Sequence, residues 1–263
     1  MAANCVWIIT VGEVGPLSQI VASGLKTYGL DVQGQRWPVD ESQAWLTSAQ
    51  EAASSRAALV VLVVDPSLYQ KADIRRGLAL FRLSLQTRID RLVDGFIVFQ
   101  GPPPELELGV SNCHRVLEDW QVVDPETSWL AKAVARMHVP SKLGTPIKLG
   151  LHAHERLGVW FEIARNPPIA QKGSVAGVSG ENVQIDFHAV GPKGRLPNRT
   201  VNEYEIQGMK FDYQGLSFEA WGLQNTLTED ESYYIRVEGE PSYISAGELP
   251  NGEMTEVDLV CLG

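Results

Sequence analysis

The sequence predicts an α/β domain with a five-stranded parallel sheet, followed by an all-β domain built as an antiparallel β-sandwich. Three observations lead to this prediction. Residues 58–64 are seven consecutive apolar residues rich in β-branched types, which is typical of a central strand buried on both faces. Strand-like and helix-like segments alternate through residue 137. After residue 146, short alternating runs are separated by Gly, Pro and Asn, and none keeps helical spacing.

The first half contains five strand–helix units in chain order. Residues 5–10 predict the first strand, and Gly15-Pro16 opens a helix that runs through residue 28 and stops at Gly29. A more polar strand at 31–37 precedes a helix to about residue 55 that Asp40 or Ser42 could cap. The remaining segments are strands at 58–64, 95–100 and 120–123 and helices at 73–91 and 125–137. This order predicts a doubly wound parallel sheet of the flavodoxin-like kind.

The second half predicts seven or eight short strands. Their positions are 147–151, 159–163, 183–187, 200–206, 210–213, 218–223, 233–237 and 257–262. Such regular spacing favours an antiparallel sandwich or barrel. We therefore place an α/β domain at 1–138, a linker at 139–146 and a β-sandwich domain at 147–263.

Charge and cysteine content narrow the functional classes. The net charge is −10, most of it carried by the second half, which argues against binding of nucleic acid or an anionic membrane. Three distant cysteines without a CxxC pair disfavour a disulfide framework or a common zinc site. No apolar run reaches the length of a membrane span, and no signal peptide is recognised at the N-terminus. We expect a cytoplasmic protein without a cofactor.

The loops after the second and third strands carry a family resemblance. Trp37-Pro38 follows the second strand, and Asp65-Pro66-Ser67-Leu68-Tyr69 follows the third. In this pattern residues 4–137 resemble a Toll/interleukin-receptor (TIR) domain, a family with a Ser-Pro-x-aromatic stretch after the third strand. The resemblance implies that the loop after the second strand, with Trp37, mediates assembly. Enzymatic members cleave NAD with a glutamate in the helix after the third strand, where this chain has Asp73 as its only nearby carboxylate.

Asp65 has a second interpretation. It stands where a response-regulator receiver, which has the same topology, carries its phosphorylated aspartate. Receiver chemistry also needs acidic residues after the first strand and a lysine after the fifth. The first loop offers only Glu13, and residues 121–125 include no lysine. The alternative is that Asp65 ends the strand as a loop cap.

The long helix at 73–91 has two distinct sides. One side is a continuous apolar stripe formed by Ile74, Leu78, Phe81, Leu85, Ile89 and Leu92. Leu80 and Leu83 fall on the opposite side, beside cations that include Arg76. Leucines that face away from the core predict a docking face for the second domain or another subunit, although they could be ordinary scattered surface residues.

The second half offers two weaker candidates for a binding site. His152 and His154 share a face of a strand, and with His188 they resemble the metal-binding motif of cupins, although the glutamate of that motif is not at its usual spacing. The alternative is ordinary surface or partly buried histidines. Lys193, Arg195 and Arg199 gather three cations in one Gly/Pro-rich loop that could bind a carboxylate or phosphate, or could neutralise acidic neighbours.

Taken together, these features predict a non-catalytic signalling or protein-interaction module with a protein partner or a homo-oligomeric state. An atypical NAD-cleaving TIR enzyme that uses Asp73 is the first alternative. A metal-dependent or ligand-sensing β domain is the second.

Overall fold

The computed structural model describes residues 5–39, 41, 43–106, 110–126, 128–139, 144–154, 156–249 and 257–263. The chain divides into two compact units. The first comprises Met1–Glu107 and Leu117–Leu143, and the second comprises Leu108–Val116 and Gly144–Gly263. Residues 140–143 of the expected linker lie outside the described residues, so its bounds remain a prediction.

The first unit is built on a five-stranded parallel sheet with the order β2-β1-β3-β4-β6. Its strands are β1 (Cys5–Val11), β2 (Asp31–Arg36), β3 (Ala57–Val64), β4 (Asp94–Phe99) and β6 (Gln121–Val123). The prediction of an α/β unit with five parallel strands is confirmed. Every residue of β3 is buried because the strand is central, whereas β2 is mostly exposed because it lies at the edge.

Helices connect these strands. They are α1 (Pro16–Thr27), α2 (Ala44–Ser54), α3 (Pro66–Tyr69), α4 (Ala72–Ile89) and α5 (Leu130–His138). The short helix α3 occupies the segment expected to be a loop. Asp40 and Ser42, the expected caps of the second helix, lie outside the described residues. Val21, Leu25 and Ala133 bury the apolar sides of α1 and α5 in a core cluster that also contains strand residues such as Val61.

The second unit contains two further sheets. A four-stranded antiparallel sheet has the order β10-β13-β8-β7, and a six-stranded sheet has the order β11-β12-β9-β14-β15-β5. The strands of the first are β7 (Ile147–His154), β8 (Gly158–Arg165), β10 (Gln184–Pro192) and β13 (Glu231–Glu238). The strands of the second are β5 (Cys113–Arg115), β9 (Gln171–Ser179), β11 (Ile206–Tyr213), β12 (Leu216–Leu227), β14 (Tyr243–Gly247) and β15 (Asp258–Cys261).

Several strands of the second unit depart from the sequence prediction. The sequence prediction does not include β9 and β14, because both strands contain Gly and Ser and lack a clear alternation of apolar and polar residues. β5 is also absent from it, since its three residues become a strand only by pairing in parallel with β15. The predicted strand at 200–206 is wrong: residues 200–205 form an irregular segment, and β11 begins at Ile206.

Among the helices in the described part of the chain, none is both long enough and apolar enough to cross a membrane.

Candidate functional site

Asp65 closes the end of β3 as a cap. Its Oδ1 accepts hydrogen bonds from the backbone N–H of Ser67 at 2.8 Å and from the Ser67 hydroxyl at 2.7 Å. These bonds from Ser67 hold the pKa of the Asp65 carboxyl below its ordinary value. The carboxylate therefore satisfies the first turn of α3, as the capping interpretation requires.

The carboxyl ends of β1 and β3 approach each other closely beside this cap. Gly12 follows β1 with a φ of 111°, and a Cβ placed there would lie 3.1 Å from the Cβ of Asp65. Gln100, after β4, donates from Nε2 to the carbonyl of Glu13 at 3.3 Å. Asp73 lies elsewhere, exposed in the first turn of α4. Asp65 thus caps α3 and lies against Gly12. Among the described residues, no hydrogen bond joins Asp65 to Asp73.

Trp37 is buried within the first unit, with 3% of its surface exposed. Its ring meets the ring of Phe81 edge-on at 6.3 Å, and a Cβ at Gly77 would lie 2.9 Å from the indole. The backbone N–H of Trp37 donates to the carbonyl of Thr10 at 2.8 Å. Its side chain is therefore part of the packing of α4, and an assembly role for this loop stays a prediction.

Leu80 and Leu83 are also buried, with 6% and 3% of their surfaces exposed. The expectation that they stand exposed on α4 is wrong, because residues 78–86 of this helix are buried on every side. Arg76 is half-buried. The docking role of these three residues stays a prediction.

The largely buried side chains of His152 and Glu162 form a pair on neighbouring strands of the four-stranded sheet. His152 Nε2 lies 2.8 Å from Glu162 Oε2. The other carboxylate oxygen accepts from the hydroxyl of Ser232 and from the backbone N–H of Gly194, each at 2.8 Å. Burial alone would raise the pKa of Glu162, but the bonds from His152, Gly194 and Ser232 together hold it below its ordinary value.

The Glu162 carboxylate also binds the loop that carries Lys193, Arg195 and Arg199. Glu162 holds the loop through Gly194, and Lys193 turns its Nζ to the carbonyl of Glu229. The side chains of Arg195 and Arg199 are exposed. Lys193 is therefore bound to the neighbouring turn, and binding of an anion by Lys193, Arg195 and Arg199 stays a prediction.

His188 lies between the two sheets of the second unit and is 2% exposed. Its Nδ1 is 2.7 Å from the hydroxyl of Tyr233, and its ring meets Trp221 of β12 edge-on at 5.1 Å. Its Nε2 is 3.3 Å from Glu205 Oε1. Burial lowers the pKa of His188, and the Glu205 carboxylate opposes this shift only in part.

The three histidines considered as metal ligands have separate partners. His152 binds Glu162, and His154 accepts from the backbone N–H of Arg156 through Nδ1 at 3.1 Å. His188 binds Tyr233. Within the described ranges of the chain, no three His, Cys, Asp or Glu side chains form a group that could hold a metal ion.

A small cavity lies at one end of the second unit. Ile147, Ile163, Leu227 and Tyr233 line its apolar part, and its volume is about 20 Å³. That space holds about one water molecule, whereas sites for small organic ligands span several hundred Å³. As it stands in this structure, the cavity does not fit the ligand-sensing alternative.

Residues 200–205, which we name the braced loop, expose two large apolar side chains. Val201 is 79% exposed and Tyr204 is 78% exposed, and Ile206 at the start of β11 is 39% exposed. Single exposed apolar residues are common, but three within six residues form a local concentration. The exposed carboxylate of Glu203 lies between them in the chain.

On one side, two side chains of the braced loop form hydrogen bonds with the backbone of β10. The N–H of Val190 donates to the Thr200 hydroxyl at 3.1 Å, and Asn202 Nδ2 donates to the carbonyl of His188 at 3.2 Å. The Thr200 hydroxyl in turn donates to Asn202 Oδ1 at 2.6 Å.

Asn225 and Gln224 of β12 fix the other side. Asn225 Nδ2 donates to the carbonyl of Val201 at 2.7 Å, and its Oδ1 accepts from the N–H of Glu203 at 2.8 Å. The N–H of Gln224 donates to the carbonyl of Glu203 at 2.8 Å. The loop is therefore held from two strands of different sheets, mostly by amide side chains.

Tyr204 has a left-handed backbone conformation with a φ of 47°. This conformation is unusual for a bulky residue and persists only where the surroundings impose it. Before Tyr204, the backbone of Glu203 is bound by Asn225 and Gln224, and after it Ile206 pairs with Gly222 of β12. These contacts supply that constraint, and the Tyr204 side chain is left exposed to solvent. Backbone strain of this kind concentrates at functional sites.

Sequence reasoning did not identify the braced loop as a site. Tyr204 and Ile206 alternate with Glu203 and Glu205, so this pattern predicts a strand. The signal that could have found it is the pair Asn202 and Asn225, because Asn favours side chain–backbone bonds in turns over a regular ladder.

No protein-family model matches the sequence, and a search of curated proteins finds no match.

Proposed function

We propose that this chain is a non-catalytic protein-interaction module, acting in signalling, that binds its partner through the braced loop. The observation that carries the proposal is the exposure of Val201 and Tyr204 on a loop that is held by hydrogen bonds to β10 and β12. Tyrosine is enriched among the residues that dominate binding energy at interfaces. A fixed backbone lowers the entropy cost of binding, which favours the use of this loop as a recognition element.

The architecture supports the same proposal at a coarser level. The strand order β2-β1-β3-β4-β6 corresponds to that of flavodoxin-like sheets, which the TIR-like interpretation requires. Contacts of His188 and Tyr233 with Trp221 join the two sheets of the second unit, as expected of a β-sandwich. Such folds carry many functions, so the functional argument depends on the loop itself.

Site-specific photo-crosslinking tests the proposal. A photoreactive phenylalanine analogue is placed at Tyr204, and for comparison at Tyr28, which is 52% exposed in the first unit. In cells that express the native protein, we expect a discrete adduct from position 204. Excess unlabelled chain should compete with it, and excess Val201→Asp chain should not. Adducts that are the same from both positions, or that the Val201→Asp chain competes equally, would contradict the proposal.

Incubation with NAD tests the enzymatic alternative directly. Chromatography should detect no release of nicotinamide above that of a protein-free sample. Turnover that the Asp73→Ala substitution removes would overturn the proposal, because Asp73 is the only nearby carboxylate in the helix that carries the catalytic glutamate of TIR enzymes.

A further inference from the structure

We infer that the partner of the braced loop is a protein surface with an apolar recess whose rim carries Arg or Lys. This inference rests on the proposed function and specifies the partner's chemistry. Val201 and Tyr204 are exposed on the loop, and only a concave apolar surface on the partner would bury both side chains.

The acidic residues of the braced loop indicate that the rim of the partner's recess is basic. Glu203 is exposed between Val201 and Tyr204, and Glu205 follows directly, with 37% of its side chain exposed. Glu205 is held in place, because its Oε1 accepts from Asn202 Nδ2 and lies 3.3 Å from His188 Nε2. A carboxylate with a fixed position beside an apolar contact favours a planar guanidinium or an ammonium group on the partner.

The negative charge of the chain disfavours a second copy, a nucleic acid or an anionic lipid surface as the partner of this loop. The chain carries a net charge of −10, so a second copy would bring like charges together. In a dimer whose two-fold axis passes through this loop, both copies of Glu203 and of Glu205 would lie close to the axis, and their like charges would repel. Nucleic acids and anionic lipid surfaces are repelled for the same reason. Arg199 directly precedes the loop and the exposed Arg195 lies four residues earlier, and within residues 199–205 the two carboxylates outnumber the one cation.

Selection from a displayed library of single-domain binders tests this inference without knowledge of the natural partner. The probe is a library of one small β-sandwich scaffold with randomised loops, selected on the full chain and counter-selected on the Val201→Ser/Tyr204→Ser chain. We expect the recovered loops to be enriched in Arg and Lys over the unselected library. Tyr204→Ala should weaken their binding about tenfold or more, the loss of one interface anchor.

A charge reversal gives the matched control. Glu203→Lys should slow association about tenfold at low salt and much less at high salt, because rim charges act mainly on the association rate. Glu229→Lys makes the same change in net charge at an exposed turn outside the loop and should change the rate less than about twofold. Circular dichroism of each variant confirms that the fold is retained.

The outcomes separate the inference from the proposed function. Binders that depend on Tyr204 but have neutral or acidic loops and no salt dependence would overturn the partner class and leave the proposed function standing. If no recovered binder depends on Val201 and Tyr204, both fail. Self-association in sedimentation analysis that Tyr204→Ala abolishes would identify a second copy as the occupant and overturn the inference.

Discussion

The carboxylate of Asp119 binds the guanidinium of Arg82 through both of its oxygens, with Nη2 and Oδ2 at 2.7 Å. Arg82 lies within α4 and is 2% exposed, and Asp119 lies in the turn before β6. The guanidinium also donates from Nε to Gln86 at 3.0 Å and lies 5.3 Å from the ring of Trp120. This pair therefore connects α4 to the turn before β6, the edge strand of the parallel sheet.

Removal of Asp119 should destabilise the protein. Asp119→Ala removes a carboxylate that binds the buried guanidinium of Arg82 through both oxygens, and we expect the free energy of unfolding to fall by about 2–3 kcal/mol. Urea denaturation measures this change. The exposed Glu105→Ala variant serves as the control and should stay within about 0.5 kcal/mol of the parent. Equal stabilities of the two variants would show that the pair contributes little.

The parallel sheet could be predicted from the sequence because its strands carry a strong local signal. The continuous apolar run of β3 and the stripe of α4 at Ile74, Leu78 and Phe81 depend only on neighbouring residues. The surroundings of Leu80 and Leu83 could not be predicted, because burial of the second side of α4 depends on tertiary packing. The partner of Arg82 lies 37 residues away, beyond any local pattern.

The candidate site was harder to predict for a related reason. His152 is visible in the sequence, but its contact with Glu162 depends on the register of β7 and β8. The braced loop depends on Asn202 and Asn225, which are far apart in the chain and replace a regular strand ladder with amide side-chain bonds. Periodicity alone cannot distinguish such a segment from an edge strand.

The second prediction concerns acid stability through Glu162. Since its folded pKa lies below the ordinary value of 4.5, Glu162 stabilises the protein above that pH, and this contribution is lost as pH falls further. Glu162→Gln should cost about 1–3 kcal/mol near neutral pH. The difference from the parent should shrink below pH 4.5. Denaturation across pH measures it, with the exposed Glu248→Gln as control, and a constant difference would contradict the assignment.

The third prediction concerns His188. Burial places its folded pKa below the ordinary value of 6.5, so neutral His188 is compatible with the fold and the unfolded chain takes up the proton first. Glu205, which faces Nε2, reduces this effect, and Tyr233 faces Nδ1. Stability should therefore decline as pH falls below 6.5.

A variant without the imidazole isolates this contribution. In His188→Gln, the free energy of unfolding should depend less steeply on pH below 6.5 than in the parent, whatever its absolute stability. The exposed His154→Gln variant makes the same substitution elsewhere in this unit and is the matched control. If His188→Gln and the parent show the same slope, His188 does not titrate as its burial requires.

The last prediction concerns Asn225, whose amide holds the braced loop. Asn225→Ala removes the acceptor of the Glu203 N–H and the donor to the carbonyl of Val201. Because these bonds contribute about 1 kcal/mol each, we expect hydrogen exchange at the Glu203 amide to accelerate about fivefold or more, while the core of β8 stays protected. Asn198→Ala, an exposed residue outside the braced loop, is the control and should leave exchange at Glu203 unchanged. Unchanged exchange in Asn225→Ala would mean that other contacts hold the loop, and Tyr204 would then keep its conformation without this brace.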